Sequence, residues 1–337
     1  DVYKRQERDT LFRIFSMTKA MTSALALMLH EDGTLSLDDP IAKHLPVFRA
    51  VKVWKEGKAV APTNPPTVRD LLRHTSGWSY GASGVEAADT AYAKAGPFGR
   101  EKSLADMAAA MATVPLAFEP GSRWMYGVST DLLGAVVEAA ADTPFDELLQ
   151  KRLFGPLDLR DTSFVLDQAK ASRLARVYRS NHNGKLSHAE DFDDFRMTKE
   201  SKLPSGGGGL LSTMRDYTRF LQMVANGGEL FGQRLLAPES VLLLTTNQLS
   251  KSAMPVTFGP LKRHGTGFGL GFSVKVGETN WNPHAPLGEY GWGGLLSTHY
   301  WVSPKDELVV VTMEQTIPYD FLLENELKPL IYDAVED

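Results

Sequence analysis

The sequence predicts an α+β fold, in which a mostly helical body is followed by an antiparallel sheet and a closing helix. Three observations carry that expectation. Ala20 to Leu29 is apolar on every side apart from Thr22 and Ser23, the pattern of a helix buried all round. Helix signals with recognisable caps then recur up to about Asn247. After about residue 265 the texture changes to short β-branched and aromatic runs broken by Gly, Pro and Lys-Asp turn signals. Helices in one block and strands in another is the α+β pattern.

The elements follow in order. The stretch "RIFSMTKAMTSALALMLHEDG", Arg13 to Gly33, opens with Ser16 near the first turn and Lys19 one turn later on the same face. At about fifteen residues it is too short for a membrane span, and Glu31-Asp32-Gly33 stops it. Ser103 and Asp106 form a capping box before "MAAAMA", with Pro115 as the stop. Ser129 or Thr130 offers a cap for "DLLGAVVEAAA". Thr143-Pro144 is a start for "FDELLQKRLF". Thr213 opens "YTRFLQMVAN", which ends at Gly227-Gly228. "GFGLGFSVKV", "STHYWVSP" and "ELVVVTMEQ" read as strands, and "ENELKPLIYDAVED" as a helix despite Pro329. Lys55 to Pro66 and Asn181 to Pro204 read as polar or proline-rich loops.

Composition narrows the class. The 337 residues suit two structural units at about 150 each. With 43% hydrophobic and 23% charged residues the chain has the make-up of a soluble globular enzyme. A net charge of -5 with scattered basic residues argues against nucleic-acid or anionic-membrane binding. The absence of cysteine excludes disulfides, thiolate metal sites and a cysteine nucleophile. Asp1 to Gln6 reads as the in-frame translation of a sequencing-library adapter, so compartment stays unread from this end, and oligomeric state is equally open.

Ser-x-x-Lys at Ser16/Lys19 is the first candidate for chemistry. A chain this long contains about one such spacing by chance, so the letters alone carry little. The placement carries more. A helix N-terminus offers N–H groups to a developing oxyanion, and a neighbouring amine helps deprotonate the hydroxyl. The rival is Ser79 in "GWSYG", a formal Gly-x-Ser-x-Gly. It lacks the strand before and the helix after that a nucleophile elbow requires. Tyr126 in "FEPGSRWMYGVSTDLLG" is the proton acceptor the pair needs, since a tyrosine near a lysine cation can titrate well below its usual value of about 10. Taken alone, such a tyrosine is more often core. Gly293-Gly294 in "GEYGWGGLLSTHYW" is read as the head of a strand where bare backbone can approach a substrate. No metal or other cofactor is expected: the histidines form no His-Glu-x-x-His, and "EDFDDF" lacks calcium-loop spacing and reads as a solvated acidic stretch. The glycines of "SGGGGLLST" and "GTGFGLGF" fit neither a phosphate loop nor a dinucleotide fingerprint, and read as close backbone packing.

With these blocks in place, the chain resembles the serine beta-lactamase-related hydrolases, the superfamily of class C beta-lactamases and D-alanyl-D-alanine carboxypeptidases, and most of all the family VIII carboxylesterases. The likeness runs from Asp9 to Gln315 through "FSMTKAMTSALALMLHEDGTLSLDDPIAKHLP", "TVRDLLRHTSGW", "FEPGSRWMYGVSTDLLG", "SGGGGLLSTMRDYTRFLQMVANGGEL" and "GTGFGLGF". It implies a beta-lactamase/transpeptidase-like fold. Residues 7–15 and 265–337 would form the sheet domain, 16–264 the helical domain, and 1–6 would stand apart as a scar, with the site at the domain junction. The resemblance also implies that sheet strands preceding the first motif are missing, which would expose a sheet edge.

The resemblance makes Ser16 the acylated serine, Lys19 its helper, and Tyr126 a general base that later serves as acid. The third motif, usually Lys-Thr-Gly, falls on Trp292-Gly293-Gly294, and the oxyanion hole on the Ser16 and Leu295 amides. Two departures bear on substrate. Trp292-Gly293 replaces the Lys-Thr pair that grips a carboxylate, a loss of about 1.5 to 3 kcal/mol in binding. Tyr126-Gly127-Val128 replaces Tyr-x-Asn, so Val128 faces the substrate where an amide would stand. The implied activity is hydrolysis of neutral short-chain esters. Beta-lactamase or D-alanyl peptidase activity, acyl transfer, and a non-catalytic binding protein of the same fold are the alternatives. Loops near Gly81 to Arg100 and Val177 to Met197 are expected to shape the pocket.

Overall fold

Helix α1, Thr18–Glu31, is buried along nearly its whole length, with only His30 and Glu31 reaching solvent. Its Leu and Met side chains each contribute about 1.5–3 kcal/mol by leaving water. The structure is a computed structural model and describes residues 5–181, 184–192, 201–258, 261–279 and 281–335. Ahead of α1, strand β1 (Phe12–Arg13) leads into a 3₁₀ turn at Phe15–Met17 that carries Ser16. Asp32 caps the helix and Gly33, at φ +78°, turns the chain away.

Helix α2 (Val68–Leu72) is closed by a Thr67/Asp70 capping box, and α3 (Leu104–Ala112) by the expected Ser103/Asp106 box. Helix α4 (Ser129–Ala141) packs on both α1 and α2. Its N-cap differs from expectation. Val128 occupies it without a side-chain bond, because Ser129 Oγ lies 2.8 Å from Ser76 Oγ inside the core. The predicted "FDELLQKRLF" helix breaks into an α segment at Phe145–Leu149 and a π turn at Gln150–Phe154. Strand β2 (Leu211–Ser212) is followed by α5 (Met214–Ala225), capped by Thr213 as expected. Short strand pairs also occur among the helices, such as Val53–Lys55 with Lys58–Val60, the second of them inside the stretch 55–66 read as loop.

The sheet is a five-stranded antiparallel meander in chain order: β3 (Thr266–Phe268), β4 (Ser273–Lys275), β5 (Tyr290–Gly293), β6 (His299–Ser303) and β7 (Leu308–Thr312). Strand β6 is buried at all five positions, and α5 packs against the edge strand β7. Helix α6 (Leu322–Asp333) continues through Pro329 and is locked to the sheet by charge. Lys328 Nζ lies 2.8 Å from both Glu289 and Glu324 and is almost fully buried. Residues 7–15 do not join this sheet. Phe12 and Arg13 pair instead with Ser212 and Leu211, and reach the sheet's end through Gln315, whose side chain bonds both the Arg13 N–H and C=O at 3.1 Å.

These contacts position the turn that carries Ser16. Ile14 N–H donates to Leu210 O at 3.1 Å, Leu210 N–H to Thr18 Oγ1 at 3.2 Å, and Thr22 Oγ1–H to Gly206 O at 2.8 Å. The glycine run 206–209 therefore lies directly on α1 and α4: a Cβ at Gly206 would meet Thr130 O at 2.7 Å, and one at Gly207 would collide with the Asp131 carboxylate. Close packing also explains "GFGLGF", where a Cβ at Gly271 would meet Ser23 of α1 at 2.8 Å. Among the described residues, no helix is long and apolar enough to cross a membrane.

Candidate active site

Ser16 sits where β1 runs into α1, and the residue before it is strained. Phe15 has φ +41°, a region that disfavours a bulky side chain by about 1–3 kcal/mol and that clusters at functional turns. The Phe15 ring is held edge-on to Phe192 at 6.5 Å. Lys19 follows three residues on, and is 3% exposed. Its ammonium has three donors and finds three acceptors: Gly207 O at 2.5 Å, Tyr80 OH at 3.2 Å and Ser16 Oγ at 3.3 Å. The same cation lies 4.8 Å from the Tyr126 ring centroid and 5.5 Å from that of Tyr80.

Tyr126 completes the group from across the fold. Its hydroxyl donates to Ser16 Oγ at 2.6 Å, 110 residues away in sequence, and accepts from Trp292 Nε1 at 3.4 Å. The segment bearing it is tied back by Met125 N–H donating to His74 O at 2.8 Å. Gly127 lets that segment lie on Trp78 and Ser79, since a Cβ there would meet the Ser79 Cα at 2.5 Å. His74 packs its ring 5.1 Å from that of Tyr126, and burial together with the Lys19 charge holds it well below its usual pKa, so it stays neutral.

Behind Lys19 stands a buried carboxylate absent from the sequence reading. Asp131, on the first turn of α4, accepts from Tyr80 OH at 2.9 Å, Ser205 Oγ at 2.5 Å and Gly207 N–H at 3.1 Å. Tyr80 thus bridges the lysine and the aspartate. Burial first, and the Asp131 charge second, push its pKa well above the usual phenol value, so it remains a neutral bridge. A sequence signal exists: Asp131 is a charge on an otherwise apolar helix face, and Tyr80 lies inside "GWSYG", next to Ser79. Ser79 itself is buried, with its Oγ accepting from Gly81 N–H at 3.0 Å and Ala82 N–H at 3.1 Å, the contacts of a turn.

The third motif closes the site from the sheet. Gly293 ends β5 rather than heading a strand, because Gly294 to Thr298 form a turn, closed by Gly294 N–H to Thr298 O at 2.7 Å. At Gly294 a Cβ would collide with the Ile14 carbonyl and Thr298 Oγ1, so only bare backbone brings Leu295 beside the Ser16 turn. At Gly293 a Cβ would meet Thr298 O and Tyr319 OH, both at 2.9 Å. Ser16, Tyr126 and Leu295 line two cavities at once. One, of about 450 Å³, runs under Trp292 into the aromatic side of the sheet; the other, of about 390 Å³, opens toward Tyr92, Phe98 and Arg100. Val128 reaches neither. Its side chain is fully buried in the core at the head of α4, which corrects the expectation that it faces substrate. Of the loops expected to shape the pocket, 81–100 does line the second cavity, whereas residues 193–197 lie outside the described residues, as do the last three of the acidic run 190–195.

The profile of the family described as Beta-lactamase matches residues 3–324. The chain belongs to the beta-lactamase family. Among relatives of this family member, Protein Rv1367c of Mycobacterium tuberculosis is 35% identical over 321 residues, covering 93% of this chain and 79% of the relative. The lovastatin esterase of Penicillium rubens is 30% identical over 351 residues, covering 96% and 84%. Among solved structures, "EstCE1, a hydrolase with promiscuous acyltransferase activity" superposes with a TM-score of 0.82 at 25% identity, covering 98% of this chain and 86% of that one. This beta-lactamase family member is therefore of the serine hydrolase type, with the beta-lactamase/transpeptidase-like fold, and lies close to the family VIII esterases.

Proposed function

We propose that the chain is a carboxylesterase that cleaves neutral short-chain esters through an acyl-enzyme on Ser16. The observation that carries this reading is the convergence on Ser16 Oγ of the Tyr126 hydroxyl at 2.6 Å and the Lys19 ammonium at 3.3 Å. The pair acts with one proton removed, as a Tyr126 phenolate beside the Lys19 ammonium, so that Ser16 Oγ attacks the ester carbonyl carbon as its own proton passes to the Tyr126 oxygen. The negative oxygen that forms is met by the N–H groups of Ser16 and Leu295. Collapse breaks the bond to the alcohol, which leaves with the proton returned through Tyr126. A water then gives its proton to Tyr126, attacks the acyl carbon and frees the acid, restoring Ser16.

The ester preference is supported by what surrounds the reacting carbon. Trp292 supplies an apolar wall where the family's cation would stand, with Tyr126, Phe258 and Phe268 rings packed within 5.6 Å of it. The names of the relatives, an esterase and a hydrolase with acyltransferase activity, lean the same way. Acyl transfer is a second reading favoured by the paired cavities, since an alcohol held in one can meet an acyl group held in the other.

Hydrolysis of 4-nitrophenyl butyrate by the wild type, Ser16→Ala and Ser79→Ala tests the proposal. Ser16→Ala should lose activity and labelling by a fluorophosphonate probe, and Ser79→Ala should keep both. Retained turnover in Ser16→Ala sinks it. Ester products formed when an alcohol is added would identify the transferase reading.

A further inference from the structure

The larger cavity contains a cation that the esterase reading leaves without a task. Arg263 ends the strand Leu261–Arg263, which pairs with Val256–Phe258, and lines the cavity that begins at Ser16. Its guanidinium carbon lies 4.3 Å from the Trp281 ring centroid, 4.5 Å from Phe258 and 5.5 Å from Phe321. Aromatic faces hold the plane of a guanidinium but leave its N–H edge unused. Among the described residues no carboxylate, carbonyl or hydroxyl accepts from it and no acid lies within ion-pair distance, Glu324 acting on it only at longer range.

The other charged groups lining this cavity are already engaged. Lys275 donates to Asn282 O at 3.0 Å and to Ala285 O. Glu289 accepts from Lys328 at 2.8 Å and Tyr332 at 2.5 Å, and Glu324 accepts from Lys328 at 2.8 Å. Burial lowers the affinity of Arg263 for its proton, yet an arginine stays charged at any physiological pH. A half-buried guanidinium, pinned by rings and with its N–H edge unbonded, in a cavity that is otherwise largely apolar is how proteins recognise a carboxylate by paired N–H···O bonds.

We propose that Arg263 binds a carboxylate at the far end of the substrate, so that the preferred esters pair an apolar body with a remote acid group. This rests on the esterase reading and narrows it: the reacting end stays neutral beneath Trp292, while the opposite end is anionic. The acid can lie on the acyl side or the alcohol side of the bond, and the test has an arm for each.

In the first arm, 4-nitrophenyl monoesters of adipic and suberic acid are compared with their methyl-capped, neutral counterparts. The second compares 4-butyryloxybenzoate with its methyl ester. At least one arm should show a tenfold or greater preference in kcat/KM for the acid, expressed mainly in KM and weakened by salt. Arg263→Met should bring the ratio of acid to neutral ester close to one, and Arg263→Lys should recover part of it. No preference in either arm, or a preference that survives Arg263→Met, overturns the proposal. A readout without turnover separates this result from failure of the esterase reading. Quenching of Trp281 and Trp292 fluorescence in Ser16→Ala should report monomethyl adipate at least tenfold tighter than dimethyl adipate, or 4-butyryloxybenzoate at least tenfold tighter than its methyl ester. That difference should vanish in Ser16→Ala/Arg263→Met, and equal affinities within both pairs in the single variant would overturn the proposal even if no ester is cleaved.

Discussion

Gly294→Ala puts the oxyanion assignment under direct strain, because Leu295 acts there through its backbone and cannot be tested by changing its side chain. The added methyl would sit against the Ile14 carbonyl on one side and Thr298 Oγ1 on the other. Both fall inside the 3.0 Å that real Cβ contacts do not cross, and one of the two is rigid backbone. The turn must therefore back away from the Ser16 segment by about half an ångström or more, and the Leu295 N–H moves with it. A displacement of order 1 Å at a reacting centre can cost about a hundredfold, and removal of one oxyanion donor about 10²–10³ in kcat. The overpacking itself should destabilise the fold by about 1–3 kcal/mol, which is tolerable in a chain of this size. Steady-state hydrolysis of 4-nitrophenyl butyrate, with a thermal melt alongside, is the assay. The expected result is kcat lower by about 10²-fold, KM little changed, and a cooperative melt retained. A folded Gly294→Ala enzyme with kcat within twofold of wild type would refute the role given to the Leu295 amide.

Three other outcomes are expected. Tyr126→Phe should lower kcat by about 10²–10⁴ with almost no change in melting temperature, since among the described residues the lost hydroxyl bonds only Ser16 and Trp292; stopped-flow kinetics and a melt check both halves. Tyr80→Phe should cut the link between Lys19 and Asp131 and lower kcat about ten- to a hundredfold, as hydrogen bonds to charged groups are worth about 1.5–3 kcal/mol. Its pH–rate profile should also change shape, which a loss of stability alone would not produce. Glu314 is the third. Burial first, then the nearby Asp320 charge, push its carboxyl up to about 7, and one of its oxygens has no partner among the described residues. The folded state thus prefers the protonated acid. Its penalty is absent below the unfolded value of 4.5, grows as pH rises, and is complete above about 7. Glu314→Gln should therefore stabilise the protein by about 1–2 kcal/mol at pH 8, after allowing for solvent screening, and by nothing at pH 4. Denaturant melts at the two pH values would show it.

Much of the site was legible because its chemistry is local at each end. Ser16 and Lys19 are three residues apart, so helix geometry alone places them together. The buried character of α1 follows from its own composition, and the caps at Ser103 and Thr213 from side chains that bond their own backbone. Tyr126 could be nominated only because Ser16 and Lys19 needed a partner. What could not be read was anything decided by distant packing. Val128 looks like a motif position, yet points into the core, because α4 begins there and turns that face inward. Asp131 and Tyr80 carry no motif, and their pairing depends on the glycine run 206–209 lying against α4.

By itself, then, the chain's order of residues determined the helical body, the antiparallel sheet and the pairing of Ser16 with Lys19, since periodicity, capping and three-residue spacing act within a few turns of chain. Only the tertiary structure decided which phenol meets Ser16, which carboxylate stands behind Lys19, and that Arg263 faces the same cavity. Those contacts join residues from about 50 to more than 200 positions apart, and their geometry comes from how helices and sheet pack, which no local pattern encodes.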